Sequence, residues 1–212
     1  MGHRGHSEFR GRPYGPDPSG REAQDRTRIA QLAARLIAEH GIADWSLAKR
    51  KAARQLMLPE RAALPGDDEI ESALIDYHAL FGGAAHRAHL RAQREEALRW
   101  MQRLASFEPA LVGGVAAGWA TAHSDILLDL VAENAKAVEF ALLNAGVAYR
   151  TMSVTDGGAQ RLYIDTPSGG VRLAIRTAEE SRQRPRRDRH GSETARLTAE
   201  ELSALLESSA TT

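Results

Sequence analysis

An α+β fold is predicted for this chain, with its helices ahead of its strands. Three observations carry that expectation. Apolar residues recur at helical spacing from Asp25 to about residue 106, period-two alternation begins only after Phe107, and a single helical stretch interrupts the strand-like segments.

Residues 1–24, "MGHRGHSEFRGRPYGPDPSGREAQ", are rich in Gly, Pro and Arg and lack apolar periodicity, so a disordered tail is expected there, carrying His3 and His6. From Asp25, the residues Ile29, Leu32, Ala33, Leu36 and Ile37 mark a first helix that stops at Gly41. A second is expected from near Ser46 through "LAKRKAARQL". A third starts near Asp67, where "GDDEIESALIDYHALF" sets acidic residues against the positive end of the helix dipole. A fourth, "HRAHLRAQREEALRWMQRLASF", aligns Leu90, Ala97, Leu98, Met101 and Leu104. Residues 25–106 therefore form a helical bundle or arm.

Residues 107–177 form a mixed α/β domain. Its strands are "PALVGG", "SDILLDL", "AYRTMSV", "RLYID" and "VRLAIRT", with the helix "NAKAVEFALLNAG" after the second and the turn "TPSGG" joining the last two. Residues 178–197 are expected to be a basic linker. Residues 198–208 are expected to be a C-terminal helix, with Thr198 and Glu201 at capping-box spacing.

A chain of 212 residues can hold one sizeable core or two small ones. Its 28 basic and 28 acidic residues balance, which gives no overall electrostatic pull towards nucleic acid or membrane. The absence of cysteine excludes disulfides, thiolate metal sites and a thiol nucleophile. No apolar run reaches the roughly 20 residues of a membrane span, and no secretory signal is visible, so a cytoplasmic protein is expected.

Alternation assigns the faces. Ile126, Leu128 and Leu130 share the core side with Leu162, Ile164, Val171, Leu173 and Ile175. Asp125, Leu127 and Asp129 then fall on the other side, with Arg161, Tyr163, Asp165, Arg172 and Arg176. That open face is a candidate site for an anionic ligand.

The stretch "LVGGVAAGWATAHSDILLDL" (residues 111–130) gives this face a sharper reading. A glycine pair, a short spacer and an acidic residue entering a strand resemble the nucleotidyltransferase superfamily, the DNA polymerase β-like fold. In that family Asp–x–Asp stands on the strand and a third carboxylate on a neighbouring one. The resemblance covers residues 107–177 and implies a nucleotidyltransferase-like domain that handles a nucleoside triphosphate with Mg²⁺ and passes a nucleotidyl group to an unknown acceptor. It places Gly113 and Gly114 at the triphosphate, with Arg172 and Arg176 as further cofactor-binding residues. Asp125 would be catalytic and hold metal, and Asp165 would be the third carboxylate. Asp129 would join the metal set on a shifted alignment. The physical reasons are plain: glycine lets backbone N–H groups approach phosphate, and two Mg²⁺ ions neutralise charge at the transferring phosphoryl group. The departure is Leu127, which stands at the second motif Asp and has no oxygen to offer a metal.

"GGVAAGWAT" has glycines at Walker-A spacing, but Trp119 occupies the place of the phosphate-binding lysine. His86 and His89 lie on one helix face without an HExxH frame, and Ser124 beside His123 lacks a nucleophile elbow. The alternative function is a non-catalytic binding or regulatory protein. "RIAQLAARLIAEHGIADWSLAKRKAARQL" resembles the opening of a tetracycline-repressor-type helix-turn-helix, with Lys49, Arg50, Lys51 and Arg54 as a basic face. It and the Arg-rich run 182–189 are the candidates for weak nucleic-acid contact or for gripping a protein partner.

Overall fold

The computed structural model describes residues 18–42, 44–152, 160–166, 169–183 and 195–209. Helix α1 spans Pro18–His40, α2 Trp45–Gln55 and α3 Asp67–Tyr77. A π-helical turn, His78–Gly82, leads into α4, Gly83–Arg103. Then come β1 (Ala110–Val112), α5 (Gly113–Ala117), β2 (Ile126–Val131), α6 (Ala135–Asn144), β3 (Arg150–Met152), β4 (Gln160–Thr166) and β5 (Gly169–Arg176). Helix α7 (Ala178–Gln183), β6 (Arg196–Leu197) and α8 (Ala199–Ser208) follow. The fold is α+β. No helix among the described residues is long and apolar enough to cross a membrane.

The expected tail ends earlier than residue 24, since α1 begins at Pro18. Proline is tolerated in a first turn, and Arg21, Glu22, Ala23 and Gln24 are good helix formers that extend a helix already anchored by the buried Ile29. The rest of that segment, with His3 and His6, lies outside the described residues. The second, third and C-terminal helices fall where expected. Asp44 caps α2 by accepting the Leu47 N–H at 3.1 Å. Thr198 and Glu201 cap α8 reciprocally, at 3.2 and 2.8 Å.

The basic linker needs correction at both ends. Thr177 and Glu180 form a capping pair that starts α7, and residues 196–197 add strand β6 to the sheet. Only residues 184–194 of it lie outside the described residues, with most of the Arg-rich run.

The sheet order is β3-β4-β5-β2-β1-β6. Strands β2 and β5 run parallel, Ile126 opposite Val171 and Leu128 opposite Leu173, while the other pairs are antiparallel. The expected β4–β5 hairpin is present, with Thr166 opposite Gly169; Pro167 and Ser168 of its turn lie outside the described residues. The predicted alternation holds: Ile126, Leu128, Leu130, Leu162, Ile164, Val171, Leu173 and Ile175 are all buried on one face.

Two cores result. One lies on that sheet face and takes in Leu90, Trp100, Met101 and Leu104 of α4, Val138 and Leu142 of α6, and Leu202 and Leu206 of α8. The other joins α1, α2 and α3 through Ile29, Leu36, Ile37, Ile70 and Leu74. Helix α4, which the sequence groups with the arm, thus packs its apolar stripe against the sheet.

Candidate functional site

The open sheet face begins at a turn fixed from outside. Ser124 Oγ accepts the Thr121 N–H at 2.9 Å, and the buried Gln93 of α4 donates from Nε2 to the Ser124 carbonyl at 2.9 Å. That anchoring delivers Asp125, at the entry to β2, onto the face. Arg94 of α4 donates to the Val115 and Ala116 carbonyls at 3.0 and 3.3 Å, satisfying the C-terminal end of α5.

Each predicted carboxylate has an arginine of its own. Arg172 Nη2 lies 2.5 Å from Asp125 Oδ2, and the Asp125 side chain is only 20% exposed. Arg196 Nη1 donates to Asp129 Oδ2 at 2.9 Å, and Arg176 Nε stands 3.9 Å from Oδ1 of the same side chain, which is 6% exposed. Arg150 Nη2 donates to Asp165 Oδ2 at 2.6 Å in an open setting, and its guanidinium lies over the Tyr163 ring.

The carboxylates share a face without converging. Asp125 and Asp129 are four residues apart on one strand, about 13 Å at roughly 3.3 Å per residue. Asp165 is on β4, and β5 separates it from β2. Two strand spacings put it about 10 Å from Asp125. A two-metal centre holds its ions only about 3.5–4 Å apart. On β5, the strand beside β2, the residues of this face are Gly170, Arg172, Ala174 and Arg176. Among the described residues no group of three or more His, Cys, Asp or Glu side chains is arranged to hold a metal ion. As placed, these residues do not fit a pair of Mg²⁺ ions.

The glycines are occupied too. Gly113 has φ +70°, a left-handed conformation, and a Cβ there would stand 2.9 Å from Leu127 Cδ1. A Cβ on Gly114 would meet the Trp119 ring at 2.7 Å. The space a glycine pair opens for phosphate is therefore taken by Leu127 and Trp119. Gly170 plays a comparable part, because a Cβ there would strike Asp125 Oδ1 and the Tyr163 hydroxyl.

Between this face and the arm lies a pocket of about 170 Å³. Asp125, Leu127 and Arg172 form its sheet wall, and Trp45, Trp119 and His123 stand opposite or beside them. The Trp45 and Trp119 rings lie 5.2 Å apart, tilted by 57°. Pockets that enclose a drug-sized ligand measure roughly 300–1,000 Å³, so this one has room only for a small fragment. The sequence reading reached Asp125 and Arg172. It missed Gln93, Arg196 and the tryptophan pair, which meet the site only through tertiary packing. On α2, Lys49 Nζ donates to Asp67 Oδ1 at 2.6 Å with its side chain 11% exposed, which removes one cation from the basic face considered above.

No protein-family model matches the chain, and no curated protein matches it in sequence.

Proposed function

We propose that this chain is a nucleotidyltransferase-like protein that binds the phosphate end of a nucleoside triphosphate through arginine in place of Mg²⁺, without transferring a nucleotidyl group. The observation that carries this reading is the Arg172–Asp125 pair. Where the family motif sets a divalent cation between two carboxylates, this chain sets Leu127 beside a carboxylate already neutralised by a guanidinium. The order of glycine pair, short helix and carboxylate-bearing strand supports the family reading, and the distances among Asp125, Asp129 and Asp165 speak against metal-dependent transfer. Guanidinium groups bind phosphate oxygens through paired N–H donors, and Arg172 is exposed enough to turn from Asp125 to a ligand. Trp45 and Trp119 wall this pocket with apolar surface, and at about 170 Å³ it takes the phosphate end and leaves the nucleoside outside.

Calorimetric titration of ATP and GTP, with Mg²⁺ and with a chelator, tests the reading. Binding is expected to survive chelation, to weaken by about tenfold or more in Arg172→Ala, and to tighten in Asp125→Asn, which removes a competing anion. Binding that needs Mg²⁺ and disappears in Asp125→Ala sinks the proposal in favour of a metal-dependent transferase. A Mg²⁺ requirement gained only on Leu127→Asp supports it, because the missing oxygen is then what separates the chain from the metal-using pattern. No binding in any variant also overturns it.

A further inference from the structure

A groove of about 760 Å³ lies away from the sheet, between α1 and α3. Its α1 side recurs every fourth residue through Thr27, Gln31, Arg35 and Glu39. Twelve residue steps of helix are about 18 Å, so the groove is a channel more than three turns long. Its floor includes the buried, small Ala30 and Ala73, which let another backbone approach closely. One end is apolar and open: Leu80 and Phe81, in the π-helical turn, are 76% and 70% exposed. No residue of α2 lines the channel, because α2 packs on a different side of α1.

The rim is acidic on balance, although Arg26, beside the channel, lies 3.5 Å from Glu69. Glu39, Asp68, Glu69 and Asp76 line the channel, and the cation among the lining residues, Arg35, is held by Glu39 at 3.1 Å. A small-residue floor, exposed aromatic and aliphatic anchors at one end and acids along the edges match one kind of occupant. We infer that this channel docks an amphipathic helix of another protein, with apolar residues at i, i+3 or i+4, and i+7 towards Ala30, Ala73 and Phe81, and with Lys or Arg along its flanks. The docked helix completes a bundle that α1, α2 and α3 leave open on this side. Acid-to-base pairing at the rim sets its preference, while the apolar contacts at Leu80 and Phe81 supply most of the affinity.

The test uses the full chain and a fluorescein-labelled synthetic helix of about 14 residues with Leu on one face and Lys on its flanks. Two controls accompany it: a twin with Glu replacing Lys, and a peptide of the same composition in scrambled order. Anisotropy is expected to show the Lys-flanked helix binding at least about tenfold more tightly than either control. Phe81→Asp is expected to weaken that binding about tenfold, and Asp76→Lys severalfold, with circular dichroism and thermal midpoint unchanged. Both positions are exposed, so both variants keep the fold. Equal binding of the scrambled peptide, or full affinity in Phe81→Asp, overturns the inference. So does a doubling of mass with concentration that Phe81→Asp abolishes, since a second copy of this chain then fills the channel.

Discussion

Around α1, alanine dominates: Ala30, Ala33, Ala34, Ala48, Ala52, Ala53 and Ala73 make up more than half of the buried apolar residues there. Against the sheet the core is Leu, Ile, Val, Met and Trp, with alanine in the minority. Alanine lets helices close in but removes little apolar surface from water, whereas each fully buried Leu or Ile contributes about 1.5–3 kcal/mol. The sheet is therefore the stiffer body and the arm the softer one. The pocket at Asp125 and Arg172 lies along the seam between them, where the arm yields at lower free-energy cost than the sheet.

The largest expected effect tests that contrast directly. Leu128→Ala leaves a cavity beneath the middle of the sheet and should lower stability by about 3–5 kcal/mol in urea denaturation. Ile70→Ala should cost about 2–4 kcal/mol and quicken amide exchange in α1, α2 and α3, leaving β2 and β5 protected. If the sheet amides exchange together with the arm in Ile70→Ala, the two cores unfold as one and the contrast fails.

A middle-sized effect compares two ion pairs on the open face. Asp129 is nearly buried and holds Arg196, so Asp129→Ala should destabilise by about 2 kcal/mol. Asp165 and Arg150 are 72% and 67% exposed, and Asp165→Ala should change stability by less than about 1 kcal/mol. Equal losses would mean that burial does not distinguish the two ends of this face.

The last effect is one of pH. The His78 and His86 rings stack 3.8 Å apart with an interplanar angle of 6°. Burial, and then the neighbouring His86, hold the His78 imidazole down to about 4 from an ordinary 6.5. Between those values the unfolded chain binds more protons than the folded one, so stability should fall as pH drops from about 6.5 towards 4 and be level above it. His78→Phe should make that slope shallower in thermal melts taken across the window. An unchanged slope would exclude His78 as its source.

What could be read in advance follows from where the physical signal is local. Alternation in "DILLDL" and in the β4–β5 hairpin assigned both sheet faces, because half-buried strands must place apolar residues every second position. Which strand lies beside which is a tertiary fact. Asp165 belongs to the correct face, yet β5 intervenes between it and Asp125. Strand β6 is two residues long, too short for any periodicity, and Arg196 reaches Asp129 across 67 positions of sequence. Helix α5 holds only five residues, two of them glycine, and resembles a loop by composition. Gln93 lies within a helix rich in polar residues, and nothing local distinguishes it from its solvated neighbours until the 121–124 turn packs on it.

The ring contact at the seam has an optical consequence. Of the three tryptophans in the chain, Trp45 belongs to the arm, Trp119 follows α5 beside the sheet, and Trp100 is buried in α4 with its indole N–H donated to Glu96 at 2.8 Å. Any movement of the arm away from the sheet separates the first two rings and wets them, while Trp100 stays shielded as a constant background. Intrinsic fluorescence, with no added label, thus registers the opening of the pocket in real time, and Trp45→Phe silences half of the reporting pair while leaving an aromatic ring in place.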